Sequence, residues 1–326
     1  MDPIYIDSEQ LPTGDNCIFG PRGIELPTPA QVRSKAEHDG IDTRNTFRPD
    51  PVRFPELGLI VKWGKDITIA EGQCLWFLRQ HLREEVPVPT IHGWRSQGGQ
   101  TFLYLEWTAG DSMASRWDQL AEDDRLSICN QLHNMIISWR RIKPGPGDQG
   151  LFQQIFAAVV GFFYPKTTSE MVPKYQLCAI NGQGLRDIIF YHAGSYPAGP
   201  FANVSEFHDA FGNLIRHDTT HADPISYRKR NPELAGLRDD IPVVFTHADL
   251  DFSNIILSDS QDGPVRIKAI IDWHQSGWYP EPWEWLKSQS VVGPHSDWAK
   301  KYLSRVLESV PYEYFYAWEY VSMSTI

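Results

Sequence analysis

Apolar residues are spread unevenly along the chain, and the first clear pattern begins near residue 57. The run LGLIVKW at 57–63 is typical of a short buried strand. The next segment, ITIAEGQCLWFLRQHL at 67–82, repeats its apolar side chains near helical spacing. The pattern predicts a strand followed by a helix.

Two more strands are predicted shortly afterwards. The segments VPVPTIHGW and TFLYLEW are β-prone and are separated by the turn SQGGQ. Gly98 and Gly99 suit this turn because glycine adopts positive φ angles without steric cost. A long helix is then predicted at 118–141, because this segment begins with acids and ends with Arg140 and Arg141, as the helix dipole favours.

The beginning of the chain and one later block follow no such pattern. Residues 1–52 are rich in proline, glycine and charge, so we expect an extended arm with one short helix from Pro29 to His38. The block LFQQIFAAVVGFFY at 151–164 is apolar, but its 14 residues are too few for a membrane span, which takes about 20. We expect a buried helix or an exposed lid there.

Composition and charge narrow the classes of function. With 326 residues, 41% of them apolar and 22% charged, the chain is typical of a globular protein. A net charge of −11 argues against nucleic acid as a partner and suits a neutral or cationic small molecule. The four cysteines form no CxxC pair, and the first residues lack a secretory pattern. We therefore expect a cytoplasmic protein, with its oligomeric state left open.

Polar residues follow two late apolar runs, PVVF and RIKAII. The first leads into HADLDFSN, which contains Asp249 and Asn254, and the second ends at Asp272. Phosphoryl transfer needs a carboxylate to orient the acceptor and oxygen ligands to hold magnesium. Asp249 suits the first role, although it could also cap the next turn. Asn254 and Asp272 suit the second.

The spacing HADxxxxN, followed 18 residues later by IIDW, resembles the catalytic and metal-binding loops of the aminoglycoside-phosphotransferase family. The members of this family are relatives of the protein kinases. The resemblance implies that Lys62 binds nucleotide phosphates and that Glu71 is its ion-pair partner. Pairing with Glu71 alone would also satisfy a lysine in an apolar strand. Segments such as AIIDWHQSGWYPEPWEW are similar to fungal members of this family.

The chain departs from the family pattern at three places. Ala248 stands where the family usually has glycine, a change that should be tolerated unless the residue needs a positive φ angle. Asp251 adds a carboxylate where fungal relatives commonly have histidine. The segment before Lys62, NTFRPDPVRFPELG, lacks the Gly-rich hairpin that covers the phosphates in kinases.

Other residues near these loops have both structural and functional interpretations. His247 is expected to hold loop backbone in place. Glu281 and Glu284 could recognise a cationic substrate, be solvated or hold a loop together. The aromatic residues between Trp273 and Trp285 could stack on a ligand, but we expect them to pack in the core.

The resemblance implies an α+β fold of the two-lobed protein-kinase type. We expect an arm at 1–52, an N-terminal lobe at 53–108 with a mixed sheet and one helix, and a helical C-terminal lobe at 109–326 with an insertion at 151–176. The predicted function is ATP- and Mg²⁺-dependent phosphorylation of a hydroxyl on a small molecule. The alternatives are an inactive pseudokinase-like binding protein, or an enzyme of secondary metabolism that uses the cleft without nucleotide.

Overall fold

The computed structural model describes residues 2–6, 10–19, 25–144, 177–191, 197–215, 227–259, 263–293 and 295–324. The predicted insertion at 151–176 lies outside the described residues. No helix in these ranges is long and apolar enough to cross a membrane.

The secondary structure consists of short strands and helices of 4 to 18 residues. The strands are β1 Ile4–Ile6, β2 Asn16–Ile18, β3 Val52–Phe54, β4 Leu59–Gly64, β5 Ile91–Gln97, β6 Gln100–Glu106, β7 Ile142–Pro144, β8 Val243–Thr246, β9 Ile255–Leu257, β10 Ile267–Ile270 and β11 Gly277–Pro280. The α-helices are α1 Pro29–His38, α2 Ile69–His81, α3 Met113–Arg116, α4 Glu122–Trp139, α5 Ile188–Tyr191, α6 Val204–Asn213, α7 Tyr227–Arg230, α8 Trp283–Val292, α9 Leu303–Val306 and α10 Tyr312–Ser324. The predicted helices at Pro29–His38, 67–82 and 118–141 correspond to α1, α2 and α4.

The chain divides into two compact units. The sheet unit comprises Pro12–Ser138 and Asp249–His274, and the helical unit comprises Met1–Leu11, Trp139–Ala248 and Gln275–Ile326. The predicted boundaries at residues 52 and 108 remain predictions.

The sheet unit contains a five-stranded antiparallel sheet in the order β2–β5–β6–β4–β3. The predicted hairpin between β5 and β6 is confirmed, and Gly98 and Gly99 both have positive φ, at 63° and 71°. Two successive positive φ angles form the tight turn whose twist matches that of the flanking strands. The hairpin fixes the register of β5 against β6, in which Trp94 is opposite Leu103. On its other side, Leu103 is opposite Lys62 of β4.

The two faces of β4 carry different residues because side chains alternate along a strand. Val61 and Trp63 belong to a buried cluster that also includes Val32 and Ala36 of α1. α1 begins at a capping box, in which Thr28 accepts a hydrogen bond from Gln31 N and the Gln31 side chain accepts one from Thr28 N. Lys62 therefore lies on the opposite side of β4 from α1.

α2 packs on the sheet at Gly72. A side chain there would meet the ring of Trp94 and the side chain of Leu103, so glycine allows close approach of the helix. Leu103 is the partner of Lys62 in the β4–β6 ladder. The helix thereby brings Glu71, the residue before Gly72, to the face of the sheet that carries Lys62.

The sheet unit also contains the antiparallel pair β9–β10, in which Ile255 is opposite Ile270. Asn254 comes directly before β9, and Asp272 follows β10 by two residues. In an antiparallel pair, the start of one strand lies beside the end of the other, so this ladder brings Asn254 and Asp272 together. The backbone confirms it, because Ile271 N donates to Asn254 O over 2.9 Å.

The helical unit is built around aromatic side chains and a buried ion pair. Tyr279 and Trp283 are fully buried and stacked, with ring centroids 5.7 Å apart, which supports their predicted place in the core. The carboxylate of Asp187 is fully buried and accepts from Lys287 Nζ at 2.8 Å and Trp283 Nε1 at 2.7 Å. These contacts attach α8 to the segment that precedes α5.

Candidate active site

Lys62, Glu71 and Asp272 form a largely buried ionic cluster in the sheet unit. Lys62 Nζ lies 2.6 Å from Glu71 Oε1 and 2.9 Å from Asp272 Oδ1. The Lys62 side chain is 13% exposed and that of Glu71 is fully buried. The structure thus brings together three residues that the sequence resemblance had assigned to one site.

The charges of the cluster shift the pKa values of Lys62 and Asp272 in opposite directions. Burial alone would lower the pKa of Lys62, but the charges of Asp272 and Glu71 outweigh it and raise this pKa above its usual value. Burial would raise the pKa of Asp272, but the neighbouring cations Lys62 and Arg48 hold it well below its usual range. Both groups are therefore charged at neutral pH.

Asp249 and Asn254 are joined by hydrogen bonds within the loop that follows β8. Asn254 Nδ2 donates to the backbone oxygen of Asp249 at 2.9 Å and to its Oδ2 at 3.3 Å. A short 3₁₀ turn at Phe252–Asn254 connects them, and Asp251 caps this turn by accepting from Ser253 N at 2.6 Å. The additional carboxylate of Asp251 therefore has a structural role in the turn.

The oxygen atoms of this region suit magnesium. Among the described residues, no cluster of three or more His, Cys, Asp or Glu side chains is placed to hold a metal ion. Asn254 and Asp272 instead offer one amide oxygen and one carboxylate, which are hard oxygen ligands. Magnesium in enzymes is commonly held by one or two carboxylates together with substrate phosphates and water. The residues present fit that mode of binding.

Ala248 has a left-handed backbone conformation with φ at 62°, the one circumstance in which alanine in place of the family's glycine was expected to matter. This conformation costs a residue with a Cβ atom about 1–2 kcal/mol relative to glycine. The presence of alanine is therefore a cost to the loop rather than a neutral change. Asp272 has the same φ of 62°.

The backbone at Ala248 is held by Glu284 within the helical unit. Glu284 Oε2 accepts from His247 N at 2.7 Å, and Oε1 accepts from Ala248 N at 3.1 Å. Burial raises the pKa of Glu284 to about 7, and the two N–H donors and the charge of Arg140 limit the increase. Of the interpretations given to Glu284, the structure supports the one that holds a loop together.

His247 and Glu281 complete the set of predicted residues. His247 is fully buried beside Ala248, as expected of a residue that holds loop backbone in place. Glu281 pairs with Arg140, with Oε1 and Nη1 2.9 Å apart. Its carboxylate is thus already bound to a cation of the same chain, and both residues belong to the helical unit.

Arg48 was not predicted to be a site residue, but its Nη2 lies 3.1 Å and 3.2 Å from the two carboxylate oxygens of Asp272. The contact between His274 Nε2 and Asp66 Oδ2, at 3.4 Å in the same unit, was not predicted either. Arg48 and Asp272 are 224 positions apart. Residues this far apart show no local spacing pattern. The sequence offered one signal, which was the arginine in the segment before Lys62 where a Gly-rich hairpin was expected.

Several solved structures are similar to this chain. An aminoglycoside-3'-phosphotransferase of type VIII has 13% identity and a TM-score of 0.44, covering 86% of this chain and 89% of its own. A thermostable mutant of aminoglycoside phosphotransferase APH(4)-Ia in its apo form has 12% identity and a TM-score of 0.46, with coverages of 90% and 91%. The streptomycin–ATP–APH(2")-IIa ternary complex has 12% identity and a TM-score of 0.42, with coverages of 89% and 83%.

At such low sequence identities and TM-scores, the similarity to these structures does not indicate the activity or the substrate of this chain. No match was found among curated protein sequences. A model of the phosphotransferase enzyme family (APH) matches residues 68–281, which is more than half of the chain and includes Glu71, Asp249, Asn254 and Asp272. The α+β, protein-kinase-like fold expected from the sequence is confirmed, and the chain belongs to the phosphotransferase enzyme family.

Proposed function

We propose that the protein transfers the γ-phosphoryl group of ATP to a hydroxyl of a small molecule, with magnesium as cofactor. The observation that carries this proposal is the largely buried cluster of Lys62, Glu71 and Asp272, in the same compact unit as Asp249 and Asn254. A lysine between two carboxylates costs desolvation energy that hydrophobic packing would avoid. Such a cluster suits a site that must hold phosphates and a metal ion.

Each residue has a distinct role in this proposal. Lys62 binds the α- and β-phosphates, and Glu71 holds the ammonium group in place. Asp272 and the Asn254 amide oxygen bind magnesium, which when bound neutralises charge on the phosphates. The hydrogen bonds from Asn254 Nδ2 to Asp249 fix the carboxylate that orients the acceptor.

Asp249 accepts a hydrogen bond from the substrate hydroxyl. A bond forms between the hydroxyl oxygen and the γ-phosphorus while the bond from that phosphorus to the leaving ADP oxygen breaks. The hydroxyl proton passes to the Asp249 carboxylate and then to solvent. Positioning and charge stabilisation provide most of the rate enhancement in this class of reaction.

The net charge of −11 supports a cationic or neutral acceptor, because an acidic surface attracts cations and repels anions. A direct test is to incubate the protein with γ-labelled ATP and Mg²⁺ against a panel of hydroxyl-bearing small molecules, both cationic and neutral. Label should pass to at least one of them. The Asp249→Asn variant, which removes a charge at nearly constant volume, should abolish the transfer.

The other outcomes point to different functions. ATP binding without transfer to any acceptor would indicate an inactive, pseudokinase-like binding protein. Conversion of a substrate in the absence of ATP would indicate a nucleotide-independent reaction. Full activity of Asp249→Asn on an identified substrate would remove Asp249 from its assigned role.

A further inference from the structure

The segment that precedes β3 reaches the ionic cluster through one side chain. This segment, residues 45–50, is called the Arg48 loop. Arg48 Nη2 lies 3.1 Å and 3.2 Å from Oδ1 and Oδ2 of Asp272. Lys62 Nζ contacts the same carboxylate at 2.9 Å. A single carboxylate therefore holds two cations from different parts of the sheet unit.

The loop is fixed to the end of β4 by backbone contacts. Lys65 N donates to Thr46 O at 3.0 Å, and Asp66 N donates to Phe47 O at 2.9 Å. Gly64, at φ 136°, makes this approach possible, because a Cβ atom there would overlap the carbonyl oxygen of Phe47. The loop therefore has a defined position next to the strand that carries Lys62.

Contacts inside the loop fix it further. Asn45 Oδ1 accepts from Phe47 N at 3.2 Å and Arg48 N at 3.4 Å, and its Nδ2 donates to Arg48 O at 3.2 Å. At the far end, Trp63 Nε1 donates to Asp50 O at 3.2 Å. The backbone of Arg48 is thus presented by a preorganised turn, while its side chain is 38% exposed.

The charges within the cluster suggest what this arginine binds. Lys62 is already satisfied by Glu71 and Asp272, so Arg48 brings a second positive charge to Asp272. When a divalent cation binds Asp272, the carboxylate no longer needs the guanidinium. Guanidinium groups bind phosphate oxygens well, because their planar donors match the geometry of the oxygens.

We propose that Arg48 binds the β- and γ-phosphates of the nucleotide, in the place of the missing Gly-rich hairpin. This inference rests on the proposed function, since it assumes a nucleotide with magnesium at Asp272. Arg48 exchanges its contact with Asp272 for the phosphates when both are present. Its side chain supplies the donors that backbone N–H groups would otherwise supply.

The test is calorimetric titration of ATP with Mg²⁺ into the full chain and four variants. Arg48→Ala should weaken ATP binding by about tenfold or more, as expected for loss of a charge-assisted hydrogen bond. The ATP affinity of Arg48→Lys should lie between those of the unmodified chain and Arg48→Ala, because lysine keeps the positive charge but loses the planar set of donors. Arg48→Gln keeps most of the side chain but loses the charge, so it should bind ATP as weakly as Arg48→Ala. It replaces Arg48→Ala in the test if the alanine variant does not fold.

Arg44→Ala is the matched control, because Arg44 lies four residues earlier, is 91% exposed and pairs with Asp42. It should bind ATP like the unmodified chain. Unchanged or tighter binding by Arg48→Ala and Arg48→Gln would overturn the inference and indicate that Arg48 only competes with the metal for Asp272. If the unmodified chain itself binds no ATP, the proposed function fails and the inference fails with it.

Discussion

Lys62 Nζ lies 2.9 Å from Asp272 Oδ1, although the two residues are 210 positions apart in the sequence. The contact joins the middle of β4 to the turn after β10 inside one compact unit. Glu71 of α2 completes the cluster at 2.6 Å from the same nitrogen. The site therefore depends on packing among several elements of the sheet unit.

Removing the lysine should destabilise the protein. In Lys62→Met, Glu71 remains fully buried without its cation. Breaking a buried pair from one side costs about 3–5 kcal/mol. Urea denaturation should reveal a loss of this size in the free energy of unfolding.

The matched control is the double variant Lys62→Met/Glu71→Gln. It should recover part of the stability, since no buried charge is left unpaired, but it should not recover ATP binding. If Lys62→Met were as stable as the unmodified chain, the buried carboxylate of Glu71 would not need Lys62 as its ion-pair partner.

The left-handed conformation of Ala248 should determine how a substitution by glycine affects stability. Ala248→Gly removes a buried methyl group but relieves the backbone, so its unfolding free energy should stay within about 1 kcal/mol of the original. Ala36→Gly in α1 is the control, because Ala36 is equally buried but helical. It should cost about 1.5 kcal/mol or more. Equal losses at the two positions in thermal denaturation would contradict the role of φ at Ala248.

The elements of the site were predictable where local pattern determines them. β4 and α2 follow from apolar periodicity, and Lys62 and Glu71 could be placed on them. The polar ends of β8 and β10 located Asp249 and Asp272 in the same way. Their roles as base and metal ligands remain predictions.

The remaining features could not be predicted because they depend on long-range packing or on backbone angles. Arg48 reaches Asp272 over 224 positions, and Glu284 reaches His247 over 37. Neither contact leaves a periodic signal in the sequence. The positive φ of Ala248 was suggested only by the glycine that the family usually has at this position, since alanine itself gives no sign of a left-handed conformation.

Glu284 should make stability depend on pH. Burial raises its pKa from 4.5 to about 7 in the folded protein. The folded state therefore binds this proton more tightly than the unfolded state, and the contribution of Glu284 to stability falls as pH rises between these two values. Relative to Glu284→Gln, the unmodified chain should lose unfolding free energy as pH rises from about 4.5 to about 7.

The comparison needs an exposed glutamate as a control. Glu308 is exposed, so Glu308→Gln is measured in parallel as the control for replacing a glutamate by glutamine. A pH-independent difference between the unmodified chain and Glu284→Gln would place the Glu284 carboxyl outside the buried environment described here.

Gly64 should be sensitive to substitution because it lets the Arg48 loop approach β4. Gly64→Ala would push its Cβ against the carbonyl oxygen of Phe47, so both stability and ATP affinity should fall. Gly58→Ala is the control, since Gly58 has φ 62° and open space around its Cβ position. It should cost about 1 kcal/mol of stability and leave ATP affinity unchanged. Equal ATP affinity in Gly64→Ala would separate the loop from the nucleotide site.

The most direct measurement of the central claim is calorimetric titration of ATP into the protein with and without Mg²⁺, in parallel with Asp272→Asn. Saturable binding that is stronger in Mg²⁺ is predicted for the unmodified chain. Asp272→Asn should lose the magnesium-dependent part of the affinity, because a neutral amide holds the cation less well than a carboxylate. Absence of binding at millimolar ATP, or identical affinity of the two proteins in Mg²⁺, would contradict a nucleotide–magnesium site at Lys62, Glu71 and Asp272.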